Sequence, residues 1–130
     1  ATHLIVVESY GLPTEHDARL VAKAIAGSTL FKAAMFGEDA NWGRILCAIG
    51  YAEADFDIDK VELHLRSTAG SIKVCENGAG VDFSEEEAAK ILHEDEIYID
   101  IDLHQGDVSA KAWGCDLTYD YVKINGDYRS

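Results

Sequence analysis

Proline is all but missing from this chain: Pro13 is the only one in 130 residues. No Pro/Gly/Ser-rich stretch takes its place as a linker, so a single domain over residues 1–130 is expected. Basic residues are scarce too, 11 Lys and Arg against 24 Asp and Glu, for a formal net charge of −13. That balance argues against a nucleic-acid backbone or an anionic membrane surface as partner. No apolar run reaches membrane-spanning length. No basic segment precedes the first apolar stretch, so no signal peptide is expected. The three cysteines, Cys47, Cys75 and Cys115, are odd in number and widely spaced, without a Cys-x-x-Cys pair. They predict free thiols in a reducing, cytoplasmic compartment. Cys47, beside Leu46 in a helical pattern, is expected to pack inside.

The familiar chemical motifs are also missing. The chain has no Gly-x-Gly-x-x-Gly after a strand, no phosphate-binding loop, no His-Glu-x-x-His and no Gly-x-Ser-x-Gly. His3, His16, His64, His93 and His104 lack metal-ligand spacing. Asp55, Asp57 and Asp59 resemble part of a calcium loop but lack its glycine and terminal glutamate. The acidic run from His93 to Glu96 reads as a solvated connection. No metal or cofactor is expected. Thr2 cannot serve as an amino-terminal nucleophile while Ala1 precedes it.

What is present is material for a core: 48% of the residues are hydrophobic, and disorder is not expected. Leu4 to Tyr10 reads as a strand ended by Gly11, and its continuous apolar start suggests coverage on both faces. Thr14 is placed to cap a helix through Leu20, Val21, Ala24 and Ile25, which Gly27-Ser28 ends. Thr29 to Phe36 fits a short helix or a core plug. Asp39 can cap the next helix, with Trp42, Ile45, Leu46 and Ile49 on its apolar side. Val61, Leu63 and Leu65 alternate with polar residues as in a half-exposed strand, partnered by Ile72 and Val74. Asn77-Gly78 is a hairpin-turn signal. Ser84 with Glu87 forms a capping box for a helix through Leu92. Ile97 to Leu103 alternates again, and strand continues beyond Gly106-Asp107. The expected fold class is α+β, with a mixed, mainly antiparallel sheet covered by helices.

Two segments carry unusual combinations of side chains. Lys32 to Arg44 packs a cation, acids, an amide and an indole around Gly37 and Gly43. Arg44 near a helix start opposes the macrodipole, so pairing with Asp39 or Glu38 is expected. The last eighteen residues, Trp113 to Ser130, are dense in aromatic and polar groups where an idle terminus is usually sparse. Asn125 can donate and accept from one side chain, and the Ser130 hydroxyl suits an amino acid's polar head group.

Four stretches resemble the ornithine acetyltransferase family of arginine biosynthesis: Ala24 to Ser28, Lys32 to Arg44, Asp100 to Asp107, and Ser109 to Ser130. The motifs Asn41-Trp42-Gly43-Arg44 and Trp113-Gly114-Cys115-Asp116-Leu117-Thr118 are specific in combination. Departures are small: Ala40 stands where the family often has proline, Gly126 where it has alanine and Ser130 where it has threonine. The resemblance implies a precursor that cleaves itself before a threonine, which becomes the nucleophile. It takes an acetyl group from N-acetylornithine and passes it to glutamate; some members accept acetyl-CoA as donor. This chain resembles the carboxy-terminal domain of the second, beta chain. Nucleophile and oxyanion hole would then lie outside it, so no catalytic residue is expected within, and the isolated chain should be inactive. The family's terminal substrate-binding asparagine and hydroxyl residue fall on Asn125 and Ser130. Implied partners are the remaining beta-chain segment and the alpha chain of the same precursor, in an alpha2-beta2 assembly. A start at Ala1, inside a strand pattern, fits a processed product or fragment.

Overall fold

In a computed structural model, residues 3–50, 52 and 56–115 are described. Six strands, β1 (Leu4–Leu12), β2 (Glu62–Ser67), β3 (Gly70–Glu76), β4 (Ala79–Gly80), β5 (Glu96–Asp102) and β6 (Val108–Cys115), form one sheet in the order β4-β3-β2-β5-β1-β6. Only β1 and β5 run parallel; every other neighbouring pair is antiparallel. The α+β class with a mainly antiparallel sheet is therefore the observed one. Asn77 and Gly78 both take positive φ, 53° and 76°, the signature of the tight turn that joins β3 to β4.

The period-two patterns of β2 and β5 put Leu63, Leu65, Ile97, Ile99 and Ile101 on one face, all essentially inaccessible. Ile5 and Val7 of β1 join them there. Helices α1 (Glu15–Ala26), α2 (Thr29–Phe36), α3 (Trp42–Gly50) and α4 (Glu85–Leu92) supply the opposing layer. Helix α1 packs on β1 and β6, α4 on β2 and β3, while α2 and α3 pack against α1. Phe31, Met35, Ile45 and Ile49 thus reach the core from the two shorter helices.

The helix starts follow the capping residues. The Thr14 side chain accepts from the Asp17 N–H at 3.1 Å, Ser28 from Phe31 at 3.2 Å and Ser84 from Glu87 at 3.1 Å. For α3 the cap is not Asp39 but Asn41, whose Oδ1 accepts from the Arg44 N–H at 3.3 Å. Asn41 directly precedes the first helical residue, the place from which a side chain reaches the third amide; Asp39 lies two residues too early. The ambiguous Thr29–Phe36 stretch is a helix because Ser28 caps it and Phe31, Ala34 and Met35 are buried on one side.

Two further expectations are corrected. Strand β1 is interior to the sheet but is not covered on both faces: Val6 is buried, whereas Leu4 and Tyr10 are exposed. Cys47 is exposed, because the buried positions of α3 are Ile45, Ala48 and Ile49; it is Cys75 of β3 that lies inside.

Candidate functional site

The sheet face opposite the helices is where charge and aromatic surface collect. Strand register places Arg66, Tyr98, Val6 and Trp113 in one row across β2, β5, β1 and β6. The next row holds His64, Asp100, Glu8 and Lys111. The polar positions of each alternating strand thus become neighbours only once the strands pair.

Arg66 is the hub. Its Nε and Nη2 donate to Asp100 Oδ2 and Oδ1 at 2.8 and 3.1 Å, a bidentate pair. The same guanidinium lies 3.7 Å from Glu8 Oε1 and 4.2 Å over the Tyr98 ring centroid. Lys111 Nζ stands 3.3 Å from Glu8 Oε1, and the Tyr10 hydroxyl donates to Glu8 Oε2. Burial pushes the Glu8 carboxyl up, but bonds from Tyr10 and Lys111 and the charges of Lys111 and Arg66 outweigh it and hold Glu8 below its usual range. Burial, then the bond to Glu8 and its charge, push Tyr10 up to about 12. The bond to Asp100 raises Arg66 further. An ionised acid with firmly held cations and a phenol that stays protonated are poorly placed to exchange protons near neutrality. The arrangement suits a fixed, oriented contact surface instead of acid–base work.

The two predicted substrate-binding residues, Asn125 and Ser130, lie outside the described residues, as do Thr2 and Asp55. In the Lys32–Arg44 segment, Arg44 pairs with neither Asp39 nor Glu38. Its Nη1 donates to the Leu30 carbonyl at 3.3 Å, while Glu38 is held by His93 at 2.6 Å. Trp42 lays its ring on Gly80, where an added Cβ would come within 2.4 Å of Trp42 Cζ2. Asp57 caps a short 3-10 helix, Ile58–Lys60, accepting from the Asp59 N–H at 3.0 Å. Among the described residues no group of three or more His, Cys, Asp or Glu side chains could hold a metal ion. No described helix is long and apolar enough to cross a membrane.

The Glu8–Arg66–Asp100–Lys111 network escaped the sequence reading. Its only linear signal is a charged residue at the outward position of each strand, and that pattern does not say which strands pair.

Comparison with known proteins covers the whole chain. The ArgJ family matches residues 1–130. The "Arginine biosynthesis bifunctional protein ArgJ" of Caldanaerobacter subterraneus subsp. tengcongensis is 58% identical over all 130 residues, which make up 32% of that protein. A "Glutamate N-acetyltransferase" of Methanopyrus kandleri is 51% identical over the same 130 residues, 33% of its length. The chain thus spans about a third of the length of these curated relatives. Among solved structures, the arginine biosynthesis bifunctional protein argJ from Bacillus halodurans superposes with a TM-score of 0.88 at 44% identity, covering 97% of this chain and 58% of that one.

Proposed function

This chain belongs to the ArgJ family, and we propose that residues 1–130 act as the carboxy-terminal domain of the beta chain of an acetyltransferase in arginine biosynthesis. The complete enzyme moves an acetyl group from N-acetylornithine to glutamate in the cytoplasm. The threonine nucleophile and the oxyanion donors that acyl transfer requires come from polypeptide outside this chain. The chain's share is binding: Asn125 and Ser130 orient the amino-acid substrate. The observation that carries this reading is the match itself, which runs through every residue of the chain while taking in only about a third of each relative. The charge-paired open face of the sheet supports a docked part, since its titrating groups are not poised for proton transfer. Partners on this reading are the rest of the beta chain and the alpha chain, two copies of each.

The test is an acetyl-transfer assay with N-acetylornithine and glutamate. The 130-residue chain alone should show no turnover, and activity should appear when the remaining polypeptide is supplied. Robust turnover by the lone chain that vanishes in Thr2→Ala would overturn the reading. In the complete enzyme, Asn125→Ala should weaken substrate capture by about tenfold to a hundredfold, as loss of a charge-assisted hydrogen bond does. Its melting temperature should hold. Removing the Ser130 hydroxyl should act in the same direction more weakly. Unchanged kinetics in both variants would defeat the assignment.

A further inference from the structure

The cations of this acidic chain are not spread evenly. Four of its eleven lysines and arginines, Arg19, Lys23, Lys32 and Lys111, line one groove between the outer side of α1 and the edge strand β6. Ala26 and Trp113 also line it, and among the described residues no Asp or Glu does. Its volume, about 600 Å³, falls in the range of small-molecule sites.

Two of the cations are committed and two are not. Arg19 pairs with Glu15 on the same helix, and Lys111 with Glu8 on the open sheet face. Lys23 and Lys32 make no ion pair with a carboxylate among the described residues. Lys32 is nevertheless half-buried. Gly114 lies beside it: a Cβ there would stand 3.3 Å from the Ala26 carbonyl oxygen and, at ordinary contact distance, 3.7 Å from Lys32 Cε. The end of the Lys32 stem thus lies next to Gly114 of β6. Beside it Trp113 is 64% exposed, a large apolar ring left to solvent at the rim of a basic groove. Exposed indoles next to cations are the elements that bind a planar ring attached to an anion.

We propose that this groove binds a phosphorylated ligand carrying a planar heterocycle, of the nucleoside di- or triphosphate class. Lys23 and Lys32 take the phosphates, Arg19 and Lys111 add field, and Trp113 stacks on the ring. This gives a role to Lys32, at the head of a segment that the substrate-binding proposal leaves unused. The inference does not rest on acetyl transfer, and its test is direct binding to the 130-residue chain, so the two can fail separately.

Titration calorimetry at low salt, with ATP, inorganic pyrophosphate and adenosine as probes, tests it. ATP should bind more tightly than either fragment, and added salt should weaken it. The double variant Lys23→Glu/Lys32→Glu should lose at least about tenfold in ATP affinity; Lys23→Gln/Lys32→Gln serves if reversal unfolds the chain, as read by melting. Trp113→Ala should weaken ATP while leaving pyrophosphate unchanged. The proposal is overturned if ATP does not bind, if pyrophosphate matches it, or if neither lysine double variant changes its affinity. It is equally overturned if a polyglutamate peptide binds more tightly than ATP, which would mark the groove as a contact for an acidic protein segment.

Discussion

The two faces of the sheet are built by the same strands and obey different physics. Toward the helices stand Ile5, Val7, Leu63, Leu65, Ile97, Ile99 and Ile101, each at 0–1% exposure. The buried polar side chain among them, Ser9, is satisfied by donating to the Ala18 carbonyl at 2.7 Å. On the opposite face stand Arg66, Asp100, Glu8, Lys111 and Tyr98, with Leu4, Tyr10 and Trp113 exposed. The first face is held by removal of apolar area from water, which does not depend on the ionisation of any side chain. The second is held by ion pairs and hydrogen bonds in contact with solvent, which contribute little to stability individually. Stability is therefore concentrated on one side, leaving the other free to be specified by what it contacts.

The sharpest way to break this contrast is one truncation on each face. Ile99, fully buried at the middle of β5, should cost about 2–5 kcal/mol when changed to Ala, since transfer and cavity costs add. Trp113→Ala, on the open face, should change stability by about 0.5 kcal/mol or less despite removing a larger side chain. Urea denaturation of both variants gives the comparison. Equal losses would mean that the open face is a second core and that the distinction between the faces is mistaken.

A smaller effect is expected at the rim, where β1 ends. Gly11 has φ of 72°, and a Cβ there would lie 2.3 Å from Asp102 Oδ1 and 2.6 Å from the His104 backbone nitrogen. The Gly11 carbonyl also accepts from the Gln105 N–H at 2.6 Å, so the backbone has no room to yield. Gly11→Ala should cost about 1–3 kcal/mol. Gly50, with nothing within 4 Å, is the control, and Gly50→Ala should be neutral or stabilising. A neutral Gly11→Ala would show that the strand end relaxes more readily than its geometry suggests.

Most of the helix-covered face was legible in the sequence, because alternation and helical spacing are local signals. Val61-Leu63-Leu65 and Ile97-Ile99-Ile101 announce their buried sides without reference to any other strand, and Thr14 and Ser84 announce their helices. The errors arose where local pattern was ambiguous. The unbroken Leu4-Ile5-Val6-Val7 run implied two covered faces, yet on the open face Val6, in register with Tyr98 and Trp113, is buried while Leu4 stays exposed. The open face was illegible for a different reason. Glu8, Arg66, Asp100 and Lys111 come from four different strands far apart in the chain, and their meeting depends on a parallel β1–β5 pair flanked by antiparallel neighbours. The basic groove needed the same pairing, since Lys32 and Lys111 belong to elements far apart in the chain. Asn125 and Ser130 came from family resemblance alone.

The smallest expected effect is a pH signature of the open face. Glu8 is held below its ordinary value of 4.5, so its folded form binds a proton less readily than its unfolded form. Its contribution is present above that value and is lost as pH falls through the lower, folded pKa. Tyr10 behaves in the opposite sense. Its phenol is pushed up to about 12 from 10.0, so the folded chain keeps a proton that the unfolded chain releases. That contribution is complete below pH 10 and is lost as pH rises toward 12. Both groups touch water, Tyr10 at 36% exposure, so solvent screening keeps the effects small beside those of Ile99 and Gly11. Urea midpoints measured across pH should fall at both extremes. Glu8→Gln should flatten part of the acid limb and Tyr10→Phe part of the alkaline limb, while Ile99→Ala should lower the whole curve without changing its shape. Ultraviolet titration should show one late-ionising phenol missing in Tyr10→Phe. Should the alkaline limb be identical in Tyr10→Phe and the parent chain, the Tyr10–Glu8 bond is not maintained in solution, and the open face is less fixed than its geometry indicates.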